Sequence, residues 1–522
     1  MKLIWWSFFS FIAAIFLDFR TTRAESPEEW NRIAEEELRK ALEMKPNTKK
    51  AKNILFFLGD GMGISTLTAG RIYKGQRHRR TGEEGTLVFE EFPHLGLAKT
   101  YNDNYQTPDS AGTATAYFCG QKVAMGVLGV DSTVRWNNCS SATKDHDISS
   151  ILEWAQDAGK ATGIVTTTRI THATPAATYA HTPDRDWEAD VDLPEADRTQ
   201  CVDIAKQMID NNPGRRANVI FGGGLSKFTP TSELSASGSG KKGSRLDGQN
   251  LFRKWKTHKT TDGLGAKAQL ITNRDQMNAL TPENTDYVLG LFSDDHLEYE
   301  LKRNRTARSQ PSLTEMTRKA IELLSKHEQG FFLAVEGGRI DHAHHDGFAK
   351  LALHEVFEFD NAITAAMKMV PLEDTLIIVT GDHSHTLNIV GYPERGNGIL
   401  KLGGKDKSRL PYTTLSYANG PGAVKDLPRK DLTHVDTEHE DFQQEALVSL
   451  DSETHGGEDV AIYARGPFAH LFHTLHEQHY IAHAMDYAAC YRKRYGVHCK
   501  TAEDGEEELK QTIHSRHLRQ GH

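Results

Sequence analysis

Three short apolar runs, far apart in the sequence, each end in acidic and histidine residues. The runs are Asn53–Leu58, Phe331–Val335 and Leu376–Thr380, and all three have the length and composition of buried parallel strands. Because the carboxyl ends of parallel strands meet at one edge of a sheet, the residues that follow the runs should be brought together there. Aspartate, glutamate and histidine at such an edge are typical ligands of a metal-dependent active site.

Two pairs of residues behind these runs fit zinc sites. Asp341 and His345 are four residues apart, so on a helical turn they lie on one face and can bind the same ion. Asp382 and His383 are adjacent, and both can reach one ion only where the backbone is irregular, as in a loop after a strand. Mixed carboxylate and imidazole ligands favour zinc. A lone pair of this kind is more often a surface ion pair, so the prediction depends on the pairs occurring together.

A third set contains only oxygen ligands. Glu336 follows the second run, Asp60 lies in a Gly-Asp-Gly turn after the first, and Thr174 is a further hydroxyl. Oxygen ligands without imidazole favour magnesium. Gly-Asp-Gly occurs in many turns, but two zinc-like sets and one magnesium-like set at strand ends are difficult to obtain by chance.

Ser110 is the candidate nucleophile. The sequence Pro108-Asp109-Ser110, followed by small helix-compatible residues, places Ser110 in the first turn of a helix, near free backbone N–H groups. Considered alone, a serine at a helix start is more often an N-cap. Serine is a weak nucleophile and needs a base or a metal to activate it. The chain has no Gly-x-Ser-x-Gly elbow, so the predicted metal ions are the natural activators.

These residues require a sheet whose strand ends meet. Strand-like and helix-like segments alternate from about Asn53 to about Cys490 without an obvious linker, which predicts one large domain. Additional strands are predicted at Ala161–Thr166, Ala217–Phe221 and Asp459–Ala464. The predicted fold class is α/β, with a large, mostly parallel central sheet flanked by helices.

Two segments lie outside this alternation. Glu28–Met44 is predicted to be an amphipathic helix that ends before Pro46 and packs on a neighbour. Gly391–Glu453 is rich in glycine, proline and charge and has little periodicity, which predicts an inserted subdomain over residues 391–453.

Four histidines, His470, His473, His476 and His479, are spaced by three. On a helix this spacing rotates successive side chains by about 60°, so the four would spread over half the circumference instead of meeting at one ion. The segment is therefore interpreted as a partly exposed helix and not as a metal site.

The amino terminus has the composition of a secretory signal peptide, predicted over residues 1–24. Lys2 precedes the apolar run Leu3–Leu17, and Thr22–Ala24 has the small-x-small pattern of a cleavage site. The run is short for a membrane span of roughly 20 residues. Residues 502–522 form a polar tail without the hydrophobic segment of a lipid-anchor signal. We therefore expect a secreted, extracellular protein with no membrane anchor; the alternative is the cell surface, if the carboxyl end is truncated.

Composition narrows the classes of protein further. Hydrophobic residues make up 38% and charged residues 25% of the 522-residue chain, as in ordinary soluble domains. The 62 basic and 71 acidic residues give a net charge of −9, and there is no long basic run. Nucleic acid is therefore not an expected partner.

Five cysteines in a secreted chain predict two disulfide bonds and one free thiol. The residues alone leave several pairings open, although Cys490 and Cys499 are close enough in sequence to form a local loop. Sequons at Asn138 and Asn304 agree with secretion and predict a glycoprotein.

At the residues described above, the chain resembles the animal alkaline phosphatases. The matching segments are Asn53–Gly63, Pro108–Tyr117, Val165–His181, Val335–His345, Thr380–His385 and Glu453–Pro467. They follow the family order over nearly the whole of residues 25–522. The resemblance implies an alkaline phosphatase fold and a secreted enzyme that hydrolyses phosphate monoesters to an alcohol and inorganic phosphate.

The resemblance also implies two zinc ions and one magnesium ion per chain. The implied ligands are Asp341, His345 and His455 for one zinc, Asp382, His383, Asp60 and Ser110 for the second, and Asp60, Thr174 and Glu336 for magnesium. Vertebrate members have a fourth site, for calcium. In this chain Ser293 stands where a glutamate ligand is expected, which puts the fourth site in doubt.

Three residues match catalytic positions of the family. Ser110 corresponds to the nucleophile that becomes phosphoserine, and Arg185 to the arginine that clamps the phosphate. His172 falls beside the magnesium site, which in this family is thought to supply a hydroxide that deprotonates the serine. Two zinc ions and a guanidinium fork would together stabilise an in-line displacement at phosphorus.

Further expectations follow from the resemblance. Cys139–Cys201 and Cys490–Cys499 are the implied disulfides, and Cys119 is the implied free thiol. Residues 391–453 correspond to the crown subdomain, and the amino-terminal helix to one that embraces a partner subunit. Both imply a homodimer.

Two other classes of function are alternatives. A phosphodiesterase or sulfatase of the same superfamily is disfavoured, because Ser110 lacks the Cys/Ser-x-Pro-x-Arg context of a sulfatase and the third ligand set exceeds the needs of a two-metal diesterase. A non-catalytic secreted metal-binding protein would need neither Ser110 nor Arg185. Both residues are present.

Overall fold

The computed structural model describes residues 26–261, 267–306, 308–424, 429–492 and 499. The predicted signal peptide and the polar tail at residues 502–522 lie outside these described residues. Within them the chain forms 17 strands and 13 α-helices, in agreement with the predicted α/β class.

In chain order the strands are β1 (Asn53–Gly59), β2 (His94–Lys99), β3 (Ala161–Arg169), β4 (Val219–Gly223), β5 (Ala268–Ile271), β6 (Tyr287–Leu291), β7 (Phe331–Gly337), β8 (Thr375–Gly381), β9 (Ser384–His385), β10 (Leu387–Ile389), β11 (Leu402–Lys405), β12 (Pro411–Thr413), β13 (Leu415–Gly420), β14 (Ala446–Ser449), β15 (His455–Gly456), β16 (Val460–Arg465) and β17 (Thr474–Glu477). Ten of them form one sheet in the order β17-β2-β16-β8-β1-β7-β3-β4-β6-β5. β16 is antiparallel to both of its neighbours, and the other pairs in this sheet are parallel. The expectation of a mostly parallel central sheet is confirmed.

The helices are α1 (Pro27–Glu43), α2 (Ile64–Arg77), α3 (Ser110–Cys119), α4 (Ile151–Asp157), α5 (Ala173–Ala176), α6 (Ile204–Asp210), α7 (Leu225–Phe228), α8 (Leu251–Thr261), α9 (Arg274–Asn278), α10 (Leu313–Leu324), α11 (Arg339–His345), α12 (Ala349–Met367) and α13 (Tyr480–Ala489). Among the residues that the structure describes, no helix is both long enough and apolar enough to cross a membrane.

The central strand β1 is buried on both faces. Ile54 and Phe56 point into a core that also contains residues of α3, α4 and α13, whereas Leu55 and Phe57 point into a core with residues of α10 and α12. Side chains alternate between the faces of a strand, so a run that is apolar at every position needs helices on both sides. The sheet therefore lies between two layers of helices, one on each face.

Residues 391–453, predicted as an insertion, contain short strands outside the main sheet. β11 pairs with β12, and β13 pairs with β10 and β14. A separate apolar cluster joins Leu415 and Tyr417 of β13 to Tyr73 of α2 and Leu353 of α12. The inserted segment is therefore packed on the helices next to the main sheet.

The prediction of a helix around the four spaced histidines is wrong. A short 3₁₀ helix at Ala469–Phe472 is followed by β17, which pairs in parallel with β2 at the edge of the sheet. The pairing of β17 with β2 decides the local structure in place of the histidine spacing, because the backbone N–H and C=O groups of this segment form hydrogen bonds with β2. His473 then lies beside His94, with 2.8 Å between ring nitrogens.

The disulfide pairings expected from the resemblance are present. Cys139 is bonded to Cys201, and Cys490 to Cys499. Cys119, at the end of α3, is a free and buried cysteine, and burial raises the pKa of its thiol to about 12.

We predict that Cys119 resists alkylation in the folded protein at mildly alkaline pH. The thiolate is the reactive form, and a thiol with this pKa is almost fully protonated there, besides being shielded from solvent. Mass spectrometry after iodoacetamide treatment should find little label in the native protein. The same treatment in urea without reductant should label Cys119 alone, whereas full labelling of the native protein would contradict the prediction.

Candidate metal-dependent active site

The candidate site lies where the central parallel strands end. β1 sits between β7 and β8, and Gly59 is in register with Gly337 on one side and Gly381 on the other. The residues just beyond this line, including Asp60 and Asp382, are therefore neighbours although they are far apart in sequence. The sheet register brings the predicted ligand sets together.

Gly61 permits the tight turn after β1. It has a φ of 69°, and a Cβ atom there would lie 2.4 Å from Nε2 of His385. Only glycine combines this conformation with so close an approach. Its N–H donates to Oδ1 of Asp382 at 2.9 Å, which fixes that carboxylate against the turn.

Ser110 is the first residue of α3, as predicted. Asp109 is the N-cap, and its carboxylate accepts hydrogen bonds from the N–H groups of Ala111 and Gly112 at 3.1 Å. The N-cap role is thus taken by Asp109, which leaves the Ser110 hydroxyl available. Ser110 Oγ lies 3.1 Å from Nε2 of His383 and 3.5 Å from Oδ1 of Asp60.

The first ligand cluster surrounds Asp341. Its members, whose ligand atoms lie within 4.8 Å of one another, are Asp341, His345, His385 and His455. Nε2 of His345 and Nε2 of His455 face each other at 3.1 Å. The other nitrogens of these two rings contact backbone carbonyls, Nδ1 of His345 that of Glu453 and Nδ1 of His455 that of Pro108. A hydrogen bond at one ring nitrogen orients the other toward an ion.

The charges in this cluster are strongly perturbed. Burial would raise the pKa of Asp341, but the surrounding histidines, first His345, hold it well below its ordinary value. Burial would lower the pKa of His385, but contacts with Asp341 and Glu453 raise it to about 10. The His385 ring lies 2.7 Å from Asp341 and 2.5 Å from Glu453. These contacts fix the orientation of Asp341.

The second cluster lies next to Ser110. Asp60, Asp341 and His383 can converge on one ion, and all three are buried. Asp382 is adjacent, with Oδ2 at 3.0 Å from Nε2 of His383. Burial would raise the pKa of Asp382, but His383 keeps it below its ordinary value.

The third cluster contains Asp60, His172 and Glu336. Oδ2 of Asp60 and Oε1 of Glu336 are buried and have no hydrogen-bond partner among the described residues. Burial and the neighbouring carboxylates raise the pKa of Asp60 well above its ordinary value, and burial raises that of Glu336 to about 7. Thr174 also contacts Glu336. Orphaned carboxylate oxygens with raised pKa values are what an oxygen-ligated cation would satisfy.

Arg185 joins the nucleophile to the third cluster. Its Nη1 donates to Oδ2 of Asp109 at 3.2 Å, and its Nη2 donates to Nε2 of His172 at 3.1 Å. The guanidinium is therefore fixed beside the start of α3, close to Ser110. A planar fork in this position can bind two oxygens of a tetrahedral anion.

The residues singled out from the sequence are eleven, and all of them lie in this one region: Asp60, Ser110, His172, Thr174, Arg185, Glu336, Asp341, His345, Asp382, His383 and, from β15, His455. Two residues were missed. His385 is two positions after His383, a spacing that puts both on one side of an extended chain, and this signal could have found it. Glu453 has no comparable local signal.

Among the residues that the structure describes, those around Ser293 belong to none of the three clusters. Asp294 accepts hydrogen bonds from Ser235 and Ser239, and Asp295 is paired with Arg169. The carboxylates of this loop are thus engaged with side chains of the protein itself.

The chain is similar to a known protein family and to individual members of it. The family model described as alkaline phosphatase matches residues 51–491. The chain is 47% identical over 488 residues to the human tissue-nonspecific isozyme of alkaline phosphatase, covering 92% of this chain and 91% of that protein. It is 44% identical over 472 residues to a membrane-bound alkaline phosphatase of Bombyx mori, covering 88% and 85%.

Solved structures agree with the fold. An alkaline phosphatase from Thermus thermophilus superposes with a TM-score of 0.61 at 22% identity, covering 89% of this chain and 96% of that one. The alkaline phosphatase of the Antarctic bacterium TAB5 gives a TM-score of 0.58 at 23% identity, covering 85% and 99%.

We predict that Glu453→Gln weakens metal retention by about 10- to 100-fold, because residues that orient a ligand typically contribute this much. The substitution removes the charge that holds His385 against Asp341. Competition with a zinc chelator, followed by elemental analysis, measures the effect. Glu37→Gln in the exposed helix α1 is the matched control, and equal metal retention by the two variants would contradict the prediction.

Proposed function

Since this chain belongs to the alkaline phosphatase family and hydrolyses phosphate monoesters, we propose that it does so through a phosphoserine formed on Ser110. The observation that carries the proposal is the position of the Ser110 hydroxyl. It lies at the start of α3, 3.1 Å from His383 of the second ligand cluster, and the Arg185 guanidinium is hydrogen-bonded to the neighbouring residue Asp109. A nucleophile, candidate metal ligands and a cationic fork are thus neighbours, which supports the proposal.

The metals we propose are two zinc ions and one magnesium ion. The donor chemistry fits: facing imidazole nitrogens in the first cluster suit zinc, and orphaned carboxylate oxygens in the third suit magnesium. The proposed ligands are Asp341, His345 and His455 for one zinc; Asp60, Ser110, Asp382 and His383 for the other; and Asp60, Thr174 and Glu336 for magnesium. When bound, such ions stabilise charge on the entering and leaving oxygens of a phosphoryl transfer.

Residues of the chain itself carry out the two steps of phosphoryl transfer. Ser110 Oγ attacks phosphorus, the bond from phosphorus to the ester oxygen breaks, and the alcohol leaves with a proton. Water then attacks the phosphoserine, which releases inorganic phosphate and restores the hydroxyl. Arg185 binds two non-bridging oxygens throughout.

Because the clamp contacts only the phosphate, the alcohol part of the substrate is weakly specified. We therefore propose broad specificity for small phosphate monoesters, with inorganic phosphate as a competing ligand. Substrates and products share the dianion that Arg185 is placed to bind.

A homodimer is the proposed assembly. In α1 no residue is buried, and Trp30, Leu38 and Leu42 are exposed to 52%, 60% and 78%. An amphipathic helix without a covered apolar side is expected to bind a partner, and a second copy is the partner that the family relationship supports. Secretion is proposed on the basis of the leader-like residues 1–24 and the two disulfide bonds.

We predict release of phosphate from a chromogenic monoester at alkaline pH, and its loss on treatment with a zinc chelator. The removal of metal should leave buried carboxylates unbalanced and the nucleophile inactive. Turnover should return when zinc and magnesium are restored. A folded, zinc-replete sample without turnover, or turnover insensitive to the chelator, would refute a metal-assisted mechanism.

We predict that Ser110→Ala lowers kcat by at least about 10³-fold while most of the bound zinc remains, since removal of a nucleophile usually costs this much or more. Steady-state kinetics and elemental analysis measure the two quantities. Ser408→Ala, at an exposed serine, is the control and should match the wild type. Near wild-type turnover by Ser110→Ala would exclude the phosphoserine.

A further inference from the structure

Three histidines form a cluster behind the phosphate-binding side of the site. The rings of His172, His296 and His342 are in mutual contact, and the distances between ring centroids are 4.3–5.4 Å. The ring of His172 meets the other two nearly at right angles, at 81° and 74°. We call these three residues the histidine cluster. His172 is thus enclosed on two sides by imidazole rings.

His172 is the member of the cluster that contacts the proposed clamp. Its Nε2 accepts a hydrogen bond from Nη2 of Arg185, the guanidinium nitrogen that is not bonded to Asp109. The orientation of the fork therefore depends on two acceptors, Asp109 on one side and His172 on the other. Rotation of the His172 ring would release one of them.

His296 is itself held firmly in place. It follows β6 in the loop that contains Ser293, and both of its ring nitrogens face Arg169 at the end of β3. Nε2 lies 2.6 Å from Nη1 of Arg169, and the backbone N–H of Arg169 donates toward Nδ1 at 3.1 Å. Arg169 in turn is bound by Glu188 and Asp295. A neutral imidazole accepts at only one of its nitrogens, so one of these two contacts is a hydrogen bond and the other is a close approach. The ring is thus held against Arg169 and forms a wall for the ring of His172 that it touches.

We propose that His296 is a positioning residue for phosphate binding: its ring holds His172 in the orientation that fixes the Arg185 fork. The inference rests on the proposed function, in which Arg185 binds the phosphate. Among the described residues, the ring of His296 contacts Arg169, His172 and His342. None of its recorded contacts is with Ser110 or with the proposed ligands Asp60 and Glu336. Its effect should therefore appear in the binding of phosphate and not in the chemical step.

The alternative role for His296 is packing alone. The two roles differ in what a substitution changes. Loss of packing would lower the amount of active enzyme, and hence apparent kcat, with KM unchanged. A disordered fork would raise KM and the Ki of inorganic phosphate together, because substrate and product share the group that Arg185 binds.

The test compares His296→Ala with His296→Phe in the holoenzyme, with zinc and magnesium content verified for each variant. His296→Ala removes the wall beside His172, and KM and the phosphate Ki should both rise about tenfold, with kcat within about twofold of wild type. His296→Phe keeps a ring at the wall but loses the contact with Arg169. It should stay within about threefold of wild type in all three quantities. His327→Ala, at a half-buried histidine between α10 and β7, is the control and should change none of them.

A double-mutant cycle tests the route through His172. In a His172→Ala background the further change His296→Ala should alter KM by less than about twofold, because the residue that it positions is gone. A full tenfold effect in that background, or an unchanged KM in the single variant, would overturn the inference. Arg185→Ala distinguishes a failure of the proposed phosphate clamp from a failure of the role proposed for His296. If that variant does not raise the phosphate Ki, the proposed clamp fails, whereas a large effect of Arg185→Ala with none from His296→Ala rejects His296 alone.

Discussion

Four carboxylates buried at one edge of a sheet are the constraint on which the rest of this site depends. Asp60, Glu336, Asp341 and Asp382 have exposures of 3% or less. Buried carboxylates at such proximity cannot all be ionised unless positive charge is brought among them. The two directions of pKa shift express this conflict: carboxylates beside histidines have lowered values, and those facing other carboxylates have raised ones. Cations would resolve this conflict, and the described residues form candidate metal sites at this edge.

The fold holds these carboxylates close together because they lie at or just after the ends of three neighbouring strands of the same sheet. β1, β7 and β8 are buried along their whole length, and their registers end on the same line. The apolar packing on both faces of the sheet is continuous, and it stabilises a polar edge that would not be stable alone. The tight turn at Gly61 then brings the backbone of this edge within reach of His385.

Much of this could be predicted from the sequence because the relevant information is local. Apolar runs that end in Asp60, Glu336 and Asp382 identify strands and their carboxyl ends, and Ser110 follows a helix-start pattern. What could not be predicted depends on contacts between distant segments. Glu453 reaches His385 only because β15 pairs with β9, and no periodicity in either segment specifies that pairing. β17 likewise forms because β2 offers an edge, which local histidine spacing cannot reveal.

His296 illustrates the same limit at the level of function. It lies in an irregular loop, more than a hundred residues from His172, and only the parallel pairing of β3, β4 and β6 brings the two rings together. Asp109 serves a comparable purpose on the other side of the clamp, because one carboxylate both caps the helix that begins with Ser110 and accepts from Arg185. Nucleophile and phosphate clamp therefore share a single anchor. A displacement of that anchor would move both together and preserve their separation, whereas a displacement of the histidine cluster would move the clamp alone. Phosphate binding is thus expected to be more sensitive to a displacement of the histidine cluster than to a displacement of Asp109, because only the former changes the position of the clamp relative to Ser110.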